Sequence, residues 1–464
     1  MRSVPVLMQF STALAAGLLV GFEAGRFAVC WPLAAAATAL AACFGFGVAW
    51  RRWPLLVWLS LGVTLALSSE AVRRETLDAS SRRSGPFSCE VEVAAATGER
   101  SFHARWRGVD LSVILSREME GPCPSAGDVW RVAGWLERKP PADRTRRRLW
   151  VTGRLASAVR LRSGAAGWRG ALAAVRADFS RRVGIGLDGA PEVADLTRAI
   201  LLGERRRLDP SLRRIFTDAG TVHVFAVSGL HVGVIAMGVF YLLILCAVPV
   251  RWAGLFAIPA VWAYALMIGA PPSAVRAAAM STLGFLAPAV GRRTDLLSAW
   301  ALVFLATHLL RPDWIVTVGS SLSFAVMLAL VLWGRVFGCG YSVAAWAGGV
   351  PIVARVFGTF TPAGLLANLA LLPAATVAVG VGAAGVAASY LSTALASYFN
   401  NASALFVRAM VAVSGAVSAL PGASVAVPPW GAWECVGWYG AWALALWLAA
   451  HVRERRRREV WRTA

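Results

Sequence analysis

The chain has 464 residues, of which 58% are hydrophobic and only 15% charged, and its formal net charge is +21. A composition this apolar, gathered in long runs, excludes an ordinary soluble globular domain and points to an α-helical polytopic membrane protein. Lys139 is the single lysine, so the charge is nearly all arginine, and its placement along the chain says more than the residue type.

The first 70 residues hold apolar segments near 4–22, 33–50 and 54–69. No small-residue cleavage site follows the first, which therefore reads as a retained N-terminal span and not as a signal peptide. Arg51 and Arg52 lie between the second and third segments. Keeping them in the cytoplasm puts the N-terminus inside and the chain beyond residue 70 outside.

Residues 71–165 read as a soluble domain inserted between membrane segments. The stretches 87–93, 101–107, 111–115, 129–136 and 150–161 alternate apolar and polar residues and are rich in Val, Trp and Phe. That pattern predicts strands, and their spacing suits a small all-β, OB-like barrel of five strands outside the cytoplasm. Over 71–170 there are 19 Arg and Lys against 11 Asp and Glu, a balance of +8. Arg105, Trp106, Arg107 and Trp135 are the residue types that hold a phosphate backbone by charge and stack bases on aromatic rings. The competing reading makes the tryptophans barrel core and the arginines a solvated face. Cys89 and Cys123 both fall here, and an oxidising location would permit a disulfide between them. The other five cysteines lie in or beside apolar runs and read as small packing residues.

Residues 166–220 connect this domain to the next. In 168–183, Leu172, Val175, Phe179 and Val183 recur at helical spacing beside Arg169, Arg176, Arg181 and Arg182, which predicts a basic amphipathic helix on the membrane surface. A helix pair over 192–202 and 210–219 follows, with Gly203-Glu-Arg-Arg-Arg207 as its turn.

Residues 221–452 return to the membrane, with apolar runs near 222–248, 253–269, 274–290, 296–310, 314–334, 341–357, 362–388, 393–419 and 433–450. Arg251, Arg292-Arg293, Arg335 and the basic tail at 453–464 recur at alternate ends. The positive-inside rule then sets His223 near the outer face and the tail in the cytoplasm. Arg355 interrupts the run at 341–357, and Asn400, Asn401 and Arg408 interrupt the one at 393–419. These two runs are open to interfacial, re-entrant or cavity-lining readings.

The stretch His223-Val-Phe-Ala-Val-Ser228-Gly229-Leu-His231-Val-Gly233 is the most informative of all. A span needs roughly 20 apolar residues. Two imidazoles, a hydroxyl and two glycines are costly there unless they face a bundle interior or a wet path. The plainer alternative is a small-xxx-small helix contact through Gly229 and Gly233, with Ser228 bonding a backbone carbonyl. Arg276 in Pro271-Pro-Ser-Ala-Val-Arg276, the hydroxyls of Gly319-Ser-Ser-Leu-Ser323, and Asn368 ahead of Pro373 add further polar groups at depth. A proline frees the carbonyl four residues back, and in lipid something polar must meet it. Together these sites predict a hydrated interior through which something polar passes.

Catalysis is not expected. Ser228 between two histidines lacks a nucleophile elbow and a placed acid, and no short-spaced ligand set suggests a metal. Without a Walker loop no nucleotide cofactor is implied, so energy for transport comes from a partner or a gradient.

Taken together, three blocks carry a family resemblance: Ala199-Ile-Leu-Leu-Gly-Glu204 with Leu208-Asp-Pro210, Phe216 with Ala219-Gly-Thr-Val-His223, and Ala226-Val-Ser-Gly-Leu-His-Val-Gly233. Pro272-Ser-Ala-Val-Arg276-Ala, Val318-Gly-Ser-Ser-Leu-Ser-Phe324 and Asn368-Leu-Ala-Leu-Leu-Pro373 extend it. In order and spacing these residues resemble the ComEC family of DNA-internalisation channels, well over 195–450 and less specifically before that. The resemblance implies uptake of single-stranded DNA through the inner membrane during natural transformation. His223, Ser228, Gly229, His231, Gly233, Arg276 and Asn368 would then line the path. It also implies contact with membrane lipid, a DNA receptor outside and a cytoplasmic helicase or DNA-binding motor. Two departures stand out. Ser320-Ser321 occupy places where the family commonly has Phe-Gln, and this chain is expected to be a short form without the family's C-terminal metallo-β-lactamase-like domain, leaving any nuclease step to a separate protein. Two other functions fit the same residues: a channel or exporter for another polar solute or polymer, and a non-transporting membrane scaffold.

Overall fold

The computed structural model describes residues 86–98, 101–106, 109–114, 128–135, 149–151, 157–162, 168–204, 208–225, 227–292, 294–311, 314–315 and 317–463. The three expected N-terminal spans, Arg107 and Cys123 lie outside the described residues. The chain divides into two compact units, one of residues 1–181, 266–269 and 305–317, the other of 182–265, 270–304 and 318–464.

In the first unit, the alternating segments form strands β1 (Pro86–Gly98), β2 (Ser101–Trp106), β3 (Val109–Ile114), β4 (Val129–Trp135), β5 (Leu149–Val151) and β6 (Ser157–Arg162). They make one sheet in the order β5-β3-β2-β1-β4-β6. All pairs are antiparallel except β3 with β5. The alternation works as the period of two requires. Val91, Val93, Trp130 and Val132 are buried, while Glu90 and Arg131, register partners between them, join at 2.7 Å on the exposed face. The stretch expected to be one last strand is two, β5 beside β3 and β6 beside β4. Helix α1 (Trp168–Val183) follows. Of its expected apolar stripe Val183 is buried but Val175 is exposed.

In the second unit, α2 (Pro191–Leu202) and α3 (Pro210–Asp218) each start with proline at the first helical position, where the missing N–H has no partner to lose. Asp209 caps α3 by accepting the Ser211 N–H at 2.8 Å. A short 3₁₀ turn (Val222–Phe225) leads into α4 (Gly229–Leu245), α5 (Val250–Met267), α6 (Pro272–Ala289), α7 (Leu296–Leu310), α8 (Val318–Val336), α9 (Tyr341–Phe357), α10 (Gly364–Ala388), α11 (Thr393–Ser418) and α12 (Ala432–Thr463). Each of the nine apolar runs from residue 221 onward is thus a helix. The helices α5, α8, α10, α11 and the Trp433–Arg453 part of α12 are long and apolar enough to cross a bilayer, and α4, α7 and α9 are shorter apolar helices. This is a multi-pass helical membrane protein. Paired strands β7 (Thr359–Phe360) and β8 (Val425–Ala426) tie the loop after α9 to the loop after α11.

The packing explains several polar interruptions. Helices α10 and α11 pack closely as a hairpin, because Gly382 and Gly385 let the backbones approach. A Cβ at Gly385 would lie 2.4 Å from Asn400 Oδ1 and 3.2 Å from Phe399 Cβ. Asn400 does not line a cavity. Its Nδ2 donates to Arg182 O at 2.8 Å and Ile185 O at 3.0 Å, and Asn401 Nδ2 donates to Gly186 O at 3.1 Å. These amides donate to the carbonyls where α1 ends, of which Arg182 O also accepts the Ile185 N–H at 3.2 Å. Arg182 is held there as well, 3.0 Å from Ser389 Oγ and over the Tyr390 ring at 3.7 Å. Arg355 lies in the last turn of α9 and donates to Trp430 O. The run at 393–419 is therefore a continuous helix with no re-entrant break, as is the run at 341–357.

Pro351 sits inside α9 and cannot supply the N–H that Ala347 O would normally accept. Trp438 Nε1 from α12 donates to that carbonyl at 2.9 Å, and Tyr439 OH donates to Gly348 O at 2.9 Å. Trp438→Phe is expected to cost about 1–3 kcal/mol, the penalty for a buried acceptor stripped of its donor. A lowered unfolding midpoint in detergent checks this, and an unchanged midpoint refutes it.

Candidate functional site

The loop that sets up the site begins at the end of α3. Gly220 has φ of +71°, and a Cβ there would lie 2.9 Å from Thr361 Oγ1 and 3.3 Å from Gly364 Cα. Only glycine meets both demands, a left-handed backbone and close approach to the start of α10. Thr221 is buried, its hydroxyl within 3.2 Å of both Phe216 O and Ser414 Oγ. Phe216 and Phe225 pack at 4.6 Å between ring centroids. The chain is thereby pinned on either side of His223. That side chain is exposed.

Ser228 caps α4 in a form the usual sequence rule does not cover. Its Oγ accepts the Leu230 N–H at 3.3 Å, and its own N–H donates to His231 Nδ1 at 3.1 Å. This is a capping box with histidine where glutamate or glutamine is the common choice. Ser228 Oγ lies 2.9 Å from the same nitrogen. The ring is only 1% exposed, and its Nε2 has no hydrogen-bond partner. His223 is near enough for the two imidazoles to interact electrostatically.

Helix α6 packs beside α4 and parallel to it. Ser273 Oγ donates to Val227 O at 2.8 Å near both N-termini, and Phe240 stacks on Phe285 at 5.4 Å toward both C-termini. Arg276 projects from the second turn of α6 against the first residue of α4. A Cβ at Gly229 would lie 2.5 Å from Arg276 Nη2 and 3.5 Å from Ala277 Cβ. Gly229 is therefore a close-contact glycine that makes room for a guanidinium. Gly233 behaves differently, since a Cβ there would meet nothing within 4 Å. The alternative of a small-xxx-small contact through both glycines fails on this point: Gly233 borders open space. Arg276 is 8% exposed, and among the described residues no carboxylate pairs with it.

Helix α10 packs on α4, and α8 packs on α6. Asn368 lies in the second turn of α10 and Ser323 in the second turn of α8. Among the described residues, four buried side-chain atoms lack any hydrogen-bond partner: His231 Nε2, Arg276 Nε, Ser323 Oγ and Asn368 Oδ1. Buried polar atoms are nearly always paired, so each such orphan calls for an explanation. All four belong to the motifs that stood out in the sequence, and all four sit near the N-terminal ends of helices. Ser320, where the sequence departs from its resemblance, is buried and bonded.

The soluble-domain candidates are placed by backbone alone. Arg105 and Trp106 lie on β2, with Arg105 opposite both Glu92 and Asp110 in register, and Trp135 ends β4 opposite Pro86. Cys89 lies on β1 opposite Val132, while its proposed partner Cys123 is outside the described residues. Among the described residues no group of three His, Cys, Asp or Glu side chains is placed to hold a metal ion. Ser273 is a contributor that the sequence reading passed over, and its only signal there was its place between Pro272 and Arg276.

The profile of the family described as Competence protein matches residues 200–452, the part that holds every buried orphan. ComE operon protein 3 of Bacillus subtilis (strain 168) is 29% identical over 219 residues, 45% of this chain and 28% of that protein. The Uncharacterized protein YcaI of Escherichia coli (strain K12) is 31% identical over 153 residues, 30% of this chain and 19% of that protein. The similarity thus spans under a third of either relative's length. No solved structure matches the chain. Matched by the profile over more than half of its length, and along the stretch that builds this site, the chain belongs to the Competence protein family.

Proposed function

We propose that the chain forms the path by which single-stranded DNA crosses the inner membrane during natural transformation. The observation that carries this reading is the set of unpartnered buried polar atoms on α4, α6, α8 and α10. A sealed bundle would leave each of those atoms a cost of about 1–3 kcal/mol. A wet path would give them partners in water or in a polar cargo. The open space beside Gly233 supports the same reading. Membership of the Competence protein family favours DNA as the cargo.

In this reading the chain does no bond chemistry. Ser228 and His231 are engaged in capping a helix, with no acid to orient the ring, so their closeness is architectural. The soluble domain stands outside the cytoplasm as an OB-like module. A parallel β3/β5 pair and a β1 strand flanked by β2 and β4 support that assignment. Its arginines and aromatics receive the strand from a DNA receptor, and a cytoplasmic helicase or DNA-binding motor pulls it inward. A separate nuclease removes the complementary strand.

Deleting the gene from a transformable host is expected to abolish entry of labelled DNA into the cytoplasm while leaving DNA bound at the cell surface. Normal transformation in that strain would falsify the assignment.

A further inference from the structure

The orphaned atoms differ in kind, and the difference identifies what part of the cargo two of them meet. His231 Nδ1 already accepts the Ser228 N–H. Its lone pair is therefore used, and the ring proton sits on Nε2. His231 Nε2 is thus a buried donor with no acceptor. Arg276 Nε is another, because guanidinium nitrogens only donate. The two donors stand in the first and second turns of parallel, packed helices. Each helix brings the positive end of its dipole to that place. The Arg276 charge, pressed against the start of α4 at Gly229, adds to them. Two dipole ends and a cation with no carboxylate beside them repel one another until an anion arrives. The dipole of a helix N-terminus favours phosphate.

We infer that the adjoining N-terminal turns of α4 and α6 form a phosphodiester subsite, in which His231 donates through Nε2 and Arg276 through its guanidinium. The inference rests on the DNA-path reading and refines it: the backbone is gripped by its charge at this point, whatever the base. Gly229 determines specificity indirectly, as the position whose lack of a side chain lets the guanidinium reach the helix end. A phospholipid headgroup carries the same phosphodiester, so the test separates the two sources.

The full chain, purified in a phosphate-free maltoside detergent, is titrated with fluorescent oligothymidylate and with a methylphosphonate oligomer of the same length, whose linkages are uncharged. The charged oligomer is expected to bind at least about tenfold more tightly, the worth of one charge-assisted hydrogen bond. Arg276→Gln and His231→Leu are expected to erase most of that preference. His231→Gln, which keeps an N–H near the Nε2 position, retains part of it. Equal binding of the two oligomers to the wild-type chain overturns the subsite, and that comparison needs no variant to fold. Displacement of the charged oligomer by phosphatidylglycerol at equal concentration, but not by phosphatidylcholine, would assign the site to a lipid headgroup and also overturn it. Loss of DNA entry on gene deletion together with equal oligomer binding leaves the path standing and removes only the subsite. Normal entry on deletion removes the path itself.

Discussion

Gly229→Val is expected to reduce DNA entry by at least about tenfold while the protein still inserts and accumulates in the membrane. Even the first carbon of the new side chain would occupy a point 2.5 Å from Arg276 Nη2. Arginine is long and has staggered alternatives, so it can swing away, but only by leaving the end of α4. The helices need not separate, because the next neighbour, Ala277 Cβ, is 3.5 Å off and in ordinary contact. The fold should therefore survive while the charge is misplaced. Labelled-DNA entry and membrane abundance measured together decide the matter. Full activity in Gly229→Val would show that the position of the guanidinium is immaterial. Gly238→Ala, on the same helix, is the matched control, since its added carbon meets nothing within 4 Å.

Asn400→Leu should damage stability more than any surface change. The amide holds two carbonyls, Arg182 O and Ile185 O, at the end of α1. Leucine fills similar volume but offers neither carbonyl a donor. Ile185 O would lose its donor, at a cost of about 1–3 kcal/mol, while Arg182 O keeps the Ile185 N–H at 3.2 Å. The Arg182 contacts with Ser389 and Tyr390 would lose their anchor at the same time. The expected outcome is a drop in the thermal midpoint of the detergent-purified chain and new protease cleavage near residues 182–186. Asn400→Asp is expected to be at least as damaging as leucine, since it loses the donor and sets a buried carboxylate against two carbonyl oxygens. A leucine variant as stable as wild type would mean that water replaces the amide at no cost.

The helices were largely legible from hydropathy because a bilayer imposes one rule on every span: its backbone must satisfy itself. Nine apolar runs became nine helices for that reason, including the two whose polar residues cast doubt on them. What could not be read was the purpose of those polar residues. Asn400 and Asn401 looked like features of a wet cavity, yet they serve carbonyls some 215 residues away in sequence. No local pattern encodes a partner so distant. Ser228 and His231 stand at the spacing of a capping box, but the rule looks for glutamate or glutamine at the last position, so the pair was read only as polar groups at depth. Gly229 and Gly233 share one motif and face different surroundings, a distinction that resides in α6 and not in the motif. Arg276 and Asn368 were legible as candidates because an ionised or amide group in a span is expensive wherever it ends up. In the soluble domain, alternation located the strands but not that β5 pairs with β3 and β6 with β4, because pairing partners are set by residues far away in the sequence.

The bonds from Trp438 and Tyr439 to α9 bear on how the molecule is made. Pro351 leaves one rung of α9 open at Ala347 O, and Trp438 of α12 supplies that donor while Tyr439 adds a bond to Gly348 O. During synthesis, the two α9 carbonyls emerge from the ribosome 91 residues ahead of the side chains that bond them. Until then a bare carbonyl must be shielded by the insertion machinery or by water at the translocon. Helix α9 is thus locked by a helix made after it, and α12 acts as the keystone of that corner of the bundle.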